Sequence, residues 1–190
     1  MQNQQPTPYM LQDNTLITEE TLNWLRSFII KLNICPFAKG PVNKGTLHIS
    51  VSRTRKKAQA LEDLMTEVHR LDNDPTIETT LLVFPDSFKD FFAYLDFVDM
   101  AEQLLLEQNY EGIYQLATFH PEYYFEDTHP DDVSNYTNRS PYPMLHLLRE
   151  EQLEKAIAAY GDTEAIPARN IATLNELGLK KVKDILNPSN

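Results

Sequence analysis

One cysteine in 190 residues, Cys35, excludes an intramolecular disulfide and any zinc site built on several thiolates. Long apolar runs are missing too: the longest strong one, residues 81–84, is far short of the roughly 20 residues a membrane-spanning helix needs. Basic residues are scarce, 17 Lys and Arg against 28 Asp and Glu, and the formal net charge of -11 repels phosphate backbones unless the few cations share one face. The one short basic cluster, Arg53, Arg55, Lys56 and Lys57, opens a helical pattern, so no nucleic-acid partner is expected. Residues 1–15 are rich in Gln, Asn and Pro, with no basic stretch leading into an apolar one, so no secretory signal is expected. A reducing, cytoplasmic setting without a membrane partner is the expectation, and oligomeric state is left open.

The chain is long enough to bury a core as one domain. The expected layout is a loose arm over residues 1–17, a domain over 18–186 and a tail over 187–190. Thr18, followed by Glu19 and Glu20, predicts a helix start, and Leu22, Leu25, Ile29 and Leu32 continue at helical spacing. Period-two alternation predicts a strand over residues 46–52, with Leu47, Ile49 and Val51 on one side. Leu61, Leu64, Met65, Val68 and Leu71 mark a second helix, and residues 79–84 a second strand. Asp86 or Ser87 is placed to cap a third helix that includes Phe88, Phe91, Phe92 and Phe97 and leaves only a narrow polar face. Gly112 precedes a third strand over residues 113–119.

The order β-α-β-α-β predicts a small parallel or mixed sheet covered by helices, an α/β single domain, with an α+β ferredoxin-like fold as the alternative. Two C-terminal helices are expected, each with a proline, Pro143 or Pro167, at its first position, and Gly178 stops the second. Ligands in such folds bind at the C-terminal ends of strands, where His120 stands.

Between them, residues 120–142 lack periodicity but carry Tyr123, Tyr124, Phe125 and Tyr136, more apolar surface than a disordered linker usually has. On the wheel of the fourth expected helix, Leu145, Leu148, Leu153, Ala156, Ile157 and Tyr160 form the apolar face. Arg149 falls near its middle, His146 inside its edge and Glu150 just beyond. A guanidinium there needs an anion, supplied by Asp127, Asp131 or Glu122 in a structural pair or by a ligand in a clamp. Asn138, Arg139 and Ser140 lead into the same helix, where free N–H groups favour carboxylate or phosphate.

His120-Pro121-Glu122 matches half of a zinc-deaminase signature, but the downstream P-C-x-x-C is missing. The glycines of residues 40–46 are spaced like a phosphate loop, yet no lysine follows the second and a strand replaces the helix. Cys35 reads as a small core residue, with a nucleophile or metal-ligand role as the sharper alternative. His129 with Asp131 and Asp132 reads as solvated loop, and His48 and His69 as surface residues.

Residues 33–38 (Asn-Ile-Cys-Pro-Phe-Ala), 78–83 (Glu-Thr-Thr-Leu-Leu-Val), 118–121 (Thr-Phe-His-Pro) and 137–143 (Thr-Asn-Arg-Ser-Pro-Tyr-Pro) combine with His146-Leu147-Leu148-Arg149-Glu150. Together they resemble the domain-of-unknown-function family 1415 of bacteria and plant plastids, over about residues 18–178. The resemblance carries no activity and names no catalytic residue.

The resulting expectation is a small-molecule enzyme acting on a small anionic substrate in a pocket built from residues 120–150. Arg139 and Arg149, with Asn138, Ser140 and Glu150 beside them, would hold the anion, and His120 or His146 would move a proton. Cys35 would serve as an optional nucleophile. Its rival is a non-catalytic ligand-sensing or metal-binding protein using the same pocket, with Cys35, His120 and His146 around a divalent transition metal.

Overall fold

The computed structural model describes residues 8–186, with side chains from Asn14 onward. The first helix, α1 (Pro8–Trp24), opens on a proline, whose fixed φ suits a first helical turn. It continues through a wider π-helical turn, Leu25–Ile30, and the two together bury Ile17, Trp24, Leu25, Phe28 and Ile29. Thr18 is therefore no cap: its hydroxyl bonds back to the Asn14 carbonyl at 2.9 Å, inside the helix. The expected loose arm is helical from Pro8, while residues 1–7 and the tail over 187–190 lie outside the described residues.

A short helix, α2 (Lys39–Lys44), ends at Gly45, whose φ of 71° is the left-handed stop a glycine adopts freely. Then follow β1 (Leu47–Val51), α3 (Lys57–Asn73), β2 (Thr79–Val83), α4 (Phe91–Glu107) and β3 (Tyr114–Phe119), close to their predicted places. The cap of α4 is Asp90, which accepts the Ala93 N–H at 2.8 Å, and not Asp86 or Ser87. Asp86 instead accepts from Arg53 Nε at 2.8 Å, and the Ser87 hydroxyl donates to the Thr54 carbonyl. Phe88, expected within that helix, precedes it at a φ of 54°.

The largest departure falls at residues 143–160. No single helix spans them; Met144–Arg149 is a strand, β4, and the helix α5 (Glu150–Tyr160) starts only after it. The sheet order is β1-β2-β4-β3, with β1 parallel to β2 and β4 antiparallel to both of its neighbours. A central strand is covered on both faces, so Leu145 and Leu147 point one way, Met144 the other, and the run reads equally well as one helix face. The last helix, α6 (Ala165–Leu186), begins just ahead of Pro167 and breaks at Gly178, whose φ is 73°.

The fold is thus α/β, a four-stranded mixed sheet between helices, and the parallel β1-α3-β2 crossover separates it from the ferredoxin-like alternative. On one face α3 and α4 pack Leu64, Val68, Tyr94 and Phe97 against Leu82, Leu145 and Leu147. On the other, α1, the π-helical turn and α6 pack Phe28, Leu174 and Val182 against Leu81, Val83 and Met144. β3 follows the direction of β1 and β2, so Val83, Phe119 and Met144 share one end of the sheet and Thr79, Tyr114 and Arg149 the opposite end.

Candidate ligand-binding site

That polarity divides the pocket expected between residues 120 and 150. His120, Asn138, Arg139 and Ser140 stand at the C-terminal ends of β2 and β3, whereas Arg149 closes the far end of β4, about 17 Å away along the strand. Among the described residues Arg149 pairs with no carboxylate; its guanidinium is held by backbone carbonyls and a tyrosine hydroxyl. Its Nη2 donates to the Leu71 carbonyl at 2.5 Å and the Ile77 carbonyl at 3.1 Å, and its Nη1 to the Tyr114 hydroxyl at 3.3 Å. Leu71 belongs to the last turn of α3, where unpaired carbonyls and the helix dipole attract a cation. The adjoining cleft, about 370 Å³, includes Asp72, Tyr114, Arg149 and Glu151. Both oxygens of Asp72 there accept tyrosine hydroxyls, from Tyr110 and Tyr114, each at 2.7 Å. Glu150 starts α5, where its charge meets the positive helix end and its N–H reaches the Ile113 carbonyl at 3.0 Å.

His120 is fully buried with both ring nitrogens engaged. Nε2 lies 2.8 Å from the Phe88 carbonyl and Nδ1 accepts the Glu122 N–H at 3.0 Å, an arrangement that requires the neutral tautomer protonated on Nε2. Burial holds its pKa below the ordinary imidazole range, against the opposing pull of the Phe88 carbonyl, Glu122 and Asp90. The ring therefore ties two connections together, β2–α4 through Phe88 and β3–β4 through its own turn. Phe88 needs such support, because a bulky residue at positive φ is strained, and stacking on Phe97 at 4.1 Å adds more.

The long connection over residues 120–143 is ordered by its own side chains. It contains a short 3-10 turn, Val133–Thr137, and the buried Asn135 at its centre. Asn135 Oδ1 accepts the Phe125 N–H at 3.1 Å and the Thr128 hydroxyl at 2.7 Å, and Nδ2 donates to the His129 carbonyl at 2.9 Å. Asn138 Nδ2 donates to the Thr118 carbonyl at 3.2 Å, and the Ser140 hydroxyl to that of Tyr142 at 2.6 Å. Arg139 donates from Nε to the Tyr123 carbonyl at 2.9 Å and from Nη2 to that of Pro130 at 2.6 Å, with its guanidinium 4.6 Å from the Tyr136 ring centre. Removing the central amide by Asn135→Ala is expected to cost about 2 to 4 kcal/mol, because several buried partners lose their bonds at once. Hydrogen exchange should accelerate across residues 123–130; unchanged exchange and stability would contradict this account of the loop.

The three residues expected around a metal do not converge. His120 packs on Phe91 and Tyr94 of α4, whereas His146 packs near Phe119 on the opposite face of the sheet. Among the described residues, no group of three or more His, Cys, Asp or Glu side chains is arranged to hold a metal ion. Cys35 is half-buried against the α1 and α6 side, and burial raises its thiol pKa against the lowering hydrogen bonds from Phe37 and Ala38. A thiol held in that state is a weak nucleophile. His146 Nε2 meets the Thr79 hydroxyl at 2.7 Å, and that hydroxyl also reaches the Leu147 carbonyl at 2.6 Å. Since Thr79 has one proton and a carbonyl can only accept, the imidazole is the donor to Thr79 Oγ1.

A second cleft, of about 340 Å³, opens where the two tied connections meet, lined by Asp90, Phe91, Phe92, Glu122, Tyr124, Pro130, Asp131 and Arg139. It lies at the C-terminal strand ends, the place where open α/β sheets bind ligands. Over residues 16–184 the chain matches the model of a family described as Protein of unknown function (DUF1415). The chain belongs to this family. No curated protein and no solved structure matches it. Of the residues read from the sequence as ligand-binding, this DUF1415 chain brings only Arg139 into the cleft. Its other walls come from Glu122 and Tyr124 beside His120 and from the start of α4. The sequence signal was Phe92, an aromatic residue on a helix whose narrow polar face had no room for it; it is 63% exposed.

Proposed function

We propose that this DUF1415 protein is a small-molecule binding protein whose site is the cleft between the β2–α4 and β3–β4 connections. The observation that carries the reading is the cleft's composition: it combines exposed aromatic surface with charged groups at the strand ends where such folds take ligands. Binding is favoured over acid–base catalysis because His120, the buried histidine beside the cleft, has both nitrogens engaged, and the exposed His129 faces Asp131, its Nδ1 accepting the Asp131 N–H at 3.2 Å. Its lone half-buried cysteine and acidic charge fit a reducing, cytoplasmic-type compartment and no nucleic-acid partner. Among the described residues no helix is long and apolar enough to cross a membrane.

The enzymatic reading, with an anionic substrate, keeps one specific support. Arg139 lines the cleft and its Nη1 has no protein partner among the described residues, so one guanidinium edge remains for a carboxylate or phosphate.

A fragment screen followed by amide chemical shifts tests both. Ligands of the cleft should move residues 90–92 and 122–131, and Phe92→Ala should weaken them about 5-fold or more while leaving the melting temperature in place. Hits confined to other surfaces would overturn the site. Phosphate or carboxylate compounds that raise the melting temperature in wild type and not in Arg139→Gln would establish the anionic reading.

A further inference from the structure

The charge and ring geometry of the cleft name a ligand class, an inference that rests on the cleft being the binding site. We propose that it takes a small organic cation, an ammonium group seated on the exposed aromatic surface of Phe92 and Tyr124 and beside carboxylates.

Three of the lining residues are carboxylates, Asp90, which also caps α4, Asp131, 3.7 Å from His129, and Glu122, and a single one is basic. The basic one, Arg139, already donates two of its nitrogens to loop carbonyls and lies over Tyr136. An anion entering here would meet a net negative wall and find one free guanidinium edge. A cation meets the opposite balance, and the overall charge of -11 draws it inward. The carboxylate of Glu122 has no hydrogen-bonding or ion-pair partner among the described residues, so a ligand need not displace one.

The rings supply the second half of the argument. Phe92, 63% exposed, and the half-buried Tyr124 pack edge to face 6.3 Å apart at 80° and leave ring surface at the cleft, while the buried Phe91 backs Tyr124 at 5.2 Å. Open aromatic surface beside carboxylates suits an ammonium group, because an uncovered ring face presents negative quadrupole to the cation. An inorganic cation fits poorly. Metals require several oxygen ligands converging on one point, and no such group of three exists among the described residues. The volume, about 340 Å³, suits a compact organic molecule.

The test uses three probes of matched size, 2-phenylethylammonium, 2-phenylethanol and 3-phenylpropionate, titrated into the full-length protein with amide shifts as readout. The ammonium should move residues 90–92 and 122–124 and bind at least about 5-fold more tightly than the alcohol. Glu122→Gln should weaken the ammonium about 3- to 10-fold, leave the alcohol unchanged and leave the melting temperature in place. Equal binding of alcohol and ammonium at the cleft would overturn the cation and keep the site. So would preferential binding of the carboxylate, which would instead support the anionic reading. Absence of any shift at the cleft, with all three probes in millimolar excess, would overturn both the cation and the site.

Discussion

Replacing Arg149 by methionine is expected to cost about 2 to 4 kcal/mol and to lower the melting temperature by roughly 5 to 15 °C, with no change in the effect when phosphate or carboxylates are added. The guanidinium donates to carbonyls of α3 and of the turn before β2, and to the Tyr114 hydroxyl, so one side chain closes the C-terminus of α3 onto β3 and β4. Methionine keeps much of the stem's packing but leaves those carbonyls unpaired and takes a positive charge away from a helix C-terminus. Arg149→Lys should recover less than half of the loss, because a point charge cannot serve partners spread around a planar fork. A near-neutral Arg149→Met would contradict the capping role. A melting temperature that rose with anions in wild type and not in Arg149→Met would return Arg149 to ligand binding.

The history of that residue marks how far the sequence could be read. β1 and α3 were legible because each shows one period over enough residues, and β2, β3 and α4 because turn residues, Asn73-Asp74-Pro75 and Gly112, bound their apolar runs. Leu47, Ile49 and Val51 alternate on a half-covered edge strand, and Leu64, Val68 and Leu71 repeat along one helical face. β4 was illegible for a physical reason: a strand inserted between two others is apolar on both faces, and Leu145, Leu147 and Leu148 then satisfy either period. Misreading it as helix placed Arg149 beside Arg139, when the true strand carries it to the opposite end of the sheet.

The candidate site was partly legible. The aromatic content of residues 120–142 signalled an ordered connection, and Arg139 was singled out in it. The partner wall at Asp90, Phe91 and Phe92 could not be read, because only the tertiary fold brings the start of α4 against that loop. His120 was conspicuous in the sequence as a histidine at a strand end. Its role as a tie between two backbone connections depends on Phe88, 32 positions away in the chain.

The other large effect is on stability against pH. His146 sits in the middle of β4 on the face packed by α1 and α6, half-buried, and the withdrawal of its ring from water pushes its pKa down to about 4. In the unfolded chain the same imidazole titrates near 6.5, so as pH falls the unfolded state takes up the proton first. Stability is therefore full above about pH 6.5, is lost progressively between 6.5 and 4, and is insensitive to this group below that. Across the window the loss from His146 is at most about 3 kcal/mol, because the half-buried residue keeps some contact with water. His120, also depressed by burial, acts with the same sign from the same upper edge. The depressed carboxylates Asp74, Asp132 and Glu151 contribute mainly from about a pH unit above their ordinary values of 3.8, 3.8 and 4.5 downward, so among the depressed groups the decline above about pH 5.5 belongs to the histidines. The measurement is the urea midpoint between pH 7.5 and 4.5 for wild type and His146→Gln. The glutamine amide can still donate to the Thr79 hydroxyl and does not titrate, so its midpoint should fall by less than half as much across the window. Parallel curves for the two proteins would mean that His146 is protonated in the folded state without cost, and that its burial does not govern acid unfolding.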